Sequence, residues 1–395
     1  MKKTILVLTS TFPRWKDDTI PPFVYELSKR LASDFDAHVL APSYPNAKDF
    51  EIMDKMKVHR FHYFFKKYEK LAGSGGILPA LEKNPLFYFQ VPFFLLGEYL
   101  ALKKAVKEIK PDIIHAHWII PQGWIASLIK KKFGVEYVVT THGGDIFGLQ
   151  GRFLTALKRK TLRNAKAITV VSNAIKKEIS EKIDSNLDIE IMPMGVDSKL
   201  FNPSKKDLSI KRKYGIHGPF LLFVGRLAEK KGVRYLLDAM PEVIKEFPKT
   251  KLMIIGTGTL EDELKKLARK LGLQKSVIFM GAMENKELPK YYATADIFIG
   301  PSITAKSGDS EGLGLTFVEA GFCGCNLIGS NIGGISDVIN KNNGVLTKEK
   351  DAKDISDKII ELIKNPITNK KKIRKELVNK FDLDVIKRKY GEILK

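Results

Sequence analysis

Short apolar runs alternate with amphipathic stretches from one end of the chain to the other. A run of about four to six apolar residues marks a strand buried on both faces, and apolar positions recurring every third or fourth residue mark a helix lying against it. In the first half the pattern predicts strands at 4–8, 38–41, 113–116, 137–141, 167–171 and 189–192, with helices such as 23–32 and 95–109 between them. It then restarts, with strands at 220–224, 251–255, 277–280, 297–300 and 327–329 and helices at 233–247, 260–271, 286–294 and 315–322. Strict βα alternation predicts an α/β protein built on doubly wound parallel sheets.

The stretch PMGVDSKLFNPSKKD, 193–207, has turn formers and no periodicity, so it is the linker. The expected domains are 1–195 and 196–378, followed by 379–395, where Val385, Ile386, Tyr390, Ile393 and Leu394 make an apolar stripe at helical spacing. Two doubly wound domains facing each other would form a cleft, and ligands in such folds bind beyond the carboxyl ends of the strands. The opening MKKTILVLTSTFPR imitates a signal peptide. Its apolar stretch is short, however, and Arg14, Lys16, Asp17 and Asp18 follow at once, so it reads as the first strand. The nearest candidate for a membrane span, 86–97, is shorter than the roughly 20 residues required and carries Pro92.

Composition narrows the classes. Of 395 residues, 44% are hydrophobic and 28% charged, which excludes a disordered chain. Lys and Arg outnumber Asp and Glu by 67 − 45 = 22, a surplus that favours nucleic acid, acidic membrane or phosphorylated substrates without choosing among them. The two cysteines, Cys323 and Cys325, make neither a disulfide framework nor a zinc quartet and point to a reducing, cytosolic compartment. Aromatic clusters at 61–68 and 87–94 lie beside lysines. Apolar surface with a basic surround suits an interfacial membrane contact, and core plus ordinary loop is the other reading.

Three motifs carry chemistry. In EGLGLTFVE, 311–319, Glu311 and Glu319 flank a strand-to-helix joint. Gly312 and Gly314 let the backbone approach a ligand, and the amides of Leu315 and Thr316 point out of a helix N-terminus, an anion site fit for phosphate. Both glutamates can accept from hydroxyls. In GRLAEKKG, 225–232, Arg226 and Lys231 flank one loop, a guanidinium suited to a bidentate grip on phosphate and a mobile point charge. In THGGD, 141–145, His142 stands at a strand's carboxyl end, while His115 and His117 in IIHAHW read as core or supporting groups. The GTG at 256–258 has Glu261 where a dinucleotide fingerprint wants a glycine, which argues against a nicotinamide enzyme, and there is no P-loop. The pairs Asp34/Asp36 and Asp382/Asp384 sit at the wrong end of a sheet and in the tail, so no acidic pair is placed to hold a metal.

With these residues in hand, the chain resembles the family 4 retaining glycosyltransferases of the GT-B fold. The resemblance rests on TFPR, KPDIIHAHW, THGGD, VS at 171–172, GVD at 195–197, GRLAEKKG, AD-x4-PS, EGLGLTFVEA and GG at 333–334, in that order, with a closing FDLDVIKRKY like the family's C-terminal helix. It implies two Rossmann-like domains facing a cleft, with the last helix crossing back to the first domain. It implies transfer of a sugar from a UDP- or GDP-sugar to a glycan or lipid-linked acceptor, with retention and without metal or other cofactor. Arg226 and Lys231 would hold the diphosphate, Glu319 the ribose hydroxyls, and Glu311 would sit against the sugar. The joint from Gly312 and Gly314 to Leu315 and Thr316 would meet phosphates and sugar, and Phe279, Met280 and Gly281 the base. Gly225 and Gly258 join the donor set, and His142 would approach the sugar from the first domain. The implied enzyme of cell-envelope or glycan biosynthesis is cytoplasmic or peripheral on the inner membrane face, with no nucleic-acid partner. A same-fold epimerase or phosphorylase, or a non-catalytic basic binding protein, is the alternative. Two departures stand out: Asp18-Thr19-Ile20-Pro21 replaces a usual glycine pair, and Gly324-Cys325-Asn326 a usual proline.

Overall fold

The computed structural model describes residues 2–16, 18, 22–72 and 76–395. Of the segment that replaces the glycine pair, Thr19, Ile20 and Pro21 lie outside the described residues. The chain divides into two compact units, Met1–Gly195 with Leu383–Lys395, and Val196–Asp382.

The first unit is built on β1 (Thr4–Leu8), β2 (Asp36–Pro42), β3 (Phe50–Met53), β4 (Met56–Phe61), β5 (Ile113–His117), β6 (Glu136–Thr141), β7 (Ala167–Val170) and β8 (Glu190–Ile191). Among the described residues these form one sheet in the order β3-β4-β2-β1-β5-β6-β7-β8. All neighbours are parallel except β3 and β4. Ile5, Leu6, Val7 and Leu8 are completely buried, as helices on both faces require. The winding reverses between β1 and β5, the switch point of this sheet.

The antiparallel β3–β4 hairpin is absent from the sequence expectation. Its turn, Asp54-Lys55, has φ of 44° and 72°, so a non-glycine pair adopts the left-handed turn that glycine usually signals. The helix Leu383–Ile393 packs within this unit. Lys387 reaches Asp34 at 2.9 Å, Arg30 stands 3.8 Å from Asp384, and the buried Tyr390 hydroxyl is 3.3 Å from Thr140 Oγ1.

The turn Pro85–Gln90 runs into the helix Val91–Ile109. Together they make a 25-residue stretch, Pro85–Ile109, long and apolar enough to cross a membrane by length and composition. The apolar segment expected from the sequence, 86–97, ends just before Glu98. Glu98 is fully buried, on the same helical face as Phe94, Leu102 and Val106. Gln122 Nε2 donates to its Oε1 at 2.9 Å, and burial pushes its carboxyl up to about 8.

The second unit is built on β9 (Phe220–Val224), β10 (Lys251–Ile255), β11 (Val277–Gly281), β12 (Ile297–Gly300), β13 (Asn326–Ser330) and β14 (Gly344–Thr347), in the order β11-β10-β9-β12-β13-β14 and parallel throughout. Leu221, Phe223, Leu252, Ile254 and Ile299 form its core with Leu236, Leu237 and Met240 of the helix Val233–Glu246. The switch point lies between β9 and β12. Cys323 and Cys325 are free and buried. Two doubly wound α/β sheets, parallel apart from the β3 edge strand, give the α/β fold class that the alternation predicted.

Glu98 gives a stability prediction. Folded, its carboxyl keeps its proton up to about pH 8; unfolded, it releases it near the ordinary 4.5. Between those values the folded state binds more protons, so stability falls as pH rises. Melting temperatures of wild type and Glu98→Gln should therefore diverge from about pH 5 to pH 8, with the wild type losing ground. A pH-independent difference would contradict this.

Candidate active site

The two loops at the switch point of the second sheet are the two charged motifs. After β9, Gly225 N donates to Ile255 O at 3.0 Å and Leu227 N to Thr257 O at 2.9 Å, which fixes Arg226 between two strand-end contacts. A Cβ on Gly258 would stand 2.2 Å from Leu227 O, so Gly258 lets the next loop lie flat behind the Arg226 loop. Gly232 has φ of 61°, and a Cβ there would stand 1.9 Å from Pro301 O. That close approach brings the loop after β9 against the loop after β12. Ile303 N then donates to Lys230 O at 2.8 Å.

Two ion pairs join these loops. Lys230 Nζ lies 2.9 Å from Asp309 Oδ2, and Lys231 Nζ donates to Glu311 Oε2. Burial alone would raise the Glu311 pKa. The charges of Lys231, then Lys230 and Arg226, hold it instead at about 2. Its backbone is braced from behind, because Gly334 N donates to Glu311 O at 3.1 Å and only a glycine fits at 333, where a Cβ would be 2.1 Å from that oxygen.

The chain then turns through Gly312 and Gly314, the latter at φ 82°, into the helix Leu315–Phe322. The amides of Leu315 and Thr316 belong to its first turn, where no helical carbonyl can take them. Glu319 projects from the next turn and accepts from the Tyr292 hydroxyl at 2.9 Å. Burial dominates here and raises its pKa to about 7, although the tyrosine bond works the other way. The two glutamates thus sit in opposite electrostatic settings.

Lys231 and Glu311 are in contact, with Arg226 close enough to act on the same carboxylate. Gly225 begins that loop, and Gly312, Gly314, Leu315 and Thr316 form the joint that follows. Phe279, Met280 and Gly281 end β11, and Gly281 O accepts from Gly256 N at 2.8 Å. Glu319 is bonded to Tyr292 and not to the cations.

In the first unit, His142 follows β6 directly. Its Nε2 lies 3.0 Å from His117 Nδ1, and its ring is boxed by Trp118 at 4.8 Å and Phe23 at 5.0 Å. Burial, with His115 adding to it, lowers its pKa to about 3, so the imidazole is neutral. Asp145 holds the loop, accepting from Thr141 Oγ1 and from Ile119 N, both at 2.6 Å. His115 bonds Thr140 Oγ1 at 2.8 Å inside the sheet.

Comparison with known proteins decides the family. The description "Glycosyltransferase Family 4" matches residues 22–200 and "Glycosyl transferases group 1" matches residues 207–379. The chain belongs to the family 4 glycosyltransferases. A GDP-mannose-dependent monoacylated alpha-(1-6)-phosphatidylinositol monomannoside mannosyltransferase of Corynebacterium glutamicum is 29% identical over 276 residues, 68% of this chain and 71% of that one. Among solved structures, a sucrose-phosphate synthase from Thermosynechococcus elongatus superposes with a TM-score of 0.79 at 19% identity, covering 99% of this chain and 98% of the other. Anabaena HepE in complex with UDP does so with 0.72 at 18%, covering 100% and 99%. The fold is GT-B, and the chain is a hexosyltransferase-type enzyme.

Several residues around these motifs of the glycosyltransferase, each within its own unit, gave little signal in the sequence. Lys230 and Asp309 form a second latch beside Lys231 and Glu311; adjacent lysines facing acids two residues apart are the pattern that encodes it. Tyr292 and the Trp118–Phe23 box are contributed by distant elements. A cavity of about 290 Å³ lined by Arg163, Lys166, Asp188 and Glu190 lies at the amino end of β7, away from the chemistry.

Glu319 should titrate near pH 7 in the free protein. The carboxylic C=O band in the infrared difference between wild type and Glu319→Gln reads this directly. Tyr292→Phe removes a bond that favours the ionised form, so the midpoint should move up. A midpoint at the ordinary 4.5 would contradict the assigned environment.

Proposed function

We propose that the enzyme transfers a sugar from a UDP- or GDP-sugar to a lipid-linked or polysaccharide acceptor, with retention and without metal. The observation that carries this reading is the convergence of Arg226, Lys231 and the Leu315–Thr316 amides on one sheet's switch point. A nucleotide-diphosphate leaving group gains negative charge as the glycosidic bond breaks. Two fixed cations and a helix N-terminus meet that charge without reorganising, the arrangement that lowers such barriers most. The donor class is supported by the names of the similar proteins, one GDP-mannose-dependent and one crystallised with UDP. The acceptor class is supported by the phosphatidylinositol mannoside named for the first of these.

Each carboxylate then has a role set by its surroundings. Glu311 is held ionised at about 2 with its charge committed to Lys231, which suits an acceptor for sugar hydroxyls and not a nucleophile. Glu319 lies one turn further and takes the ribose hydroxyls, and Phe279, Met280 and Gly281 meet the base. Gly225, Gly258, Gly312 and Gly314 shape the phosphate and sugar path. His142, neutral, hydrogen-bonds a hydroxyl of the transferred sugar. On this reading no enzymic carboxylate attacks from behind, and the acceptor enters on the leaving group's face through an oxocarbenium-like state. The leaving phosphate takes the acceptor's proton, and configuration is retained. The enzyme is cytoplasmic and peripheral on the inner membrane face, in keeping with its surplus of basic residues and two free thiols.

A thermal-shift screen of UDP-, GDP- and ADP-sugars identifies the donor, since a ligand bound only by the folded state raises the melting temperature. With that donor, Arg226→Ala and Lys231→Ala should each lose about 2–4 kcal/mol of transition-state stabilisation in kcat/KM. Near-normal turnover in both would remove the phosphate assignment. Activity should persist in EDTA, and the product anomer should match the donor by NMR. Activity lost in EDTA and restored by manganese, or an inverted product, would overturn the mechanism.

A further inference from the structure

The first unit carries an apolar ridge that its own packing leaves uncovered. Phe89, Phe93, Leu96 and Leu100 follow one another at steps of four, three and four residues along the run Pro85–Ile109, so they share one helical face. Together with Phe65 they are between 43% and 73% exposed. Ring contacts make the ridge continuous: Phe89 to Phe93 at 5.6 Å, Phe93 to Phe64 at 5.6 Å, and Phe64 to Phe65 at 5.1 Å. Tyr68, Leu86 and Tyr88 extend it and are more than half exposed. Single exposed apolar side chains need no explanation, but a contiguous set of this size marks an interaction site.

The rim is basic. Lys66, Lys67 and Lys70 stand at one end, and Lys103, Lys104 and Lys107 continue the helix at the other. Asp49 takes Lys66 at 3.1 Å and Glu108 stands 3.9 Å from Lys104, while Glu82 is exposed nearby; the balance stays positive. Of the nearby carboxylates, Glu69 and Glu98 are fully buried and add nothing to the surface.

We propose that this ridge is a docking surface for a lipid bilayer carrying anionic headgroups. The apolar row lies in the interface plane and the lysines meet the phosphates. The opposite helix face is committed to the fold through Phe94, Leu102, Val106 and the Glu98–Gln122 bond, so the helix lies on the membrane and does not cross it. A second copy of the chain fits less well, since a face rimmed by lysines repels its own image. Within the same unit, Leu78 of the neighbouring helix Ile77–Lys83 packs against Gly144 and Gly148. These follow His142 in the same loop. The inference deepens the membrane position proposed above and does not depend on the transfer chemistry.

Co-sedimentation of the full chain with vesicles tests it, using phosphatidylcholine alone and phosphatidylcholine mixed with phosphatidylglycerol, at low and high salt. Binding should require the anionic lipid and weaken in salt. The double variant Phe89→Ser, Phe93→Ser should reduce partitioning by about tenfold or more while keeping the wild-type melting temperature and donor turnover. Lys67→Glu with Lys70→Glu should weaken it to a similar order, an independent check at exposed positions. Indifference to both vesicle types, or undiminished binding by both variants, would overturn the proposal. So would a dimer in light scattering that the phenylalanine variant dissolves, because the ridge would then be a contact between copies. Vesicle binding without donor turnover would count against the transferase mechanism and leave docking standing.

Discussion

Lys231 and Glu311 are eighty residues apart in the chain and meet at the switch point of the second sheet. The loops that carry them would otherwise be two separate excursions from β9 and β12. Their pairing, seconded by Lys230 and Asp309, ties the cations of one loop to the helix N-terminus that follows the other. It is possible only because Gly232 lets the first loop rest on Pro301 and Gly333 lets a third segment brace Glu311 from behind. The cost of a largely buried carboxylate is offset by three nearby positive groups, which leave it ionised at any physiological pH. Opposing charge therefore organises the loops before any ligand arrives, the preorganisation that a reaction with a strongly anionic leaving group requires.

Glu319 shows how far environment can separate two carboxylates in one motif. Eight residues after Glu311, it faces Tyr292 and the interior; burial raises both carboxyls, and the cations beside Glu311 that reverse the effect there have no counterpart among the groups acting on Glu319. His142 is a third case, kept neutral by burial beside two other imidazoles. These differences set what each group can do: a fixed anion, a carboxyl able to change charge near neutrality, and an uncharged hydrogen-bonding ring.

Much of this was legible in the sequence because parallel strands buried on both faces are written as uninterrupted apolar runs. Phe220–Val224 and Ile297–Gly300 could hardly be read otherwise, and glycines beside charges announced the loops that follow them. The hairpin of β3 and β4 was hidden because it is an exposed edge whose turn uses Asp54-Lys55 in place of glycine. The sequence shows a helix running through Glu98 but not the burial of that residue: a buried carboxylate looks like a surface residue until Gln122, distant in sequence, is brought to it. The second latch and the Tyr292 contact were out of reach too, since a pairing between strand-end loops depends on registers that periodicity does not specify.

Binding of nucleoside diphosphates to the free enzyme tests the central claim most directly, because it isolates the charge-holding step from the chemistry. Calorimetric titration with UDP, GDP and ADP, in EDTA, should find one that binds with an affinity that falls as salt rises, and Lys231→Ala should weaken it by about tenfold or more. If no diphosphate binds until a divalent cation is added, or if Lys231→Ala binds as tightly as the wild type, the account of a preorganised cationic switch point is wrong.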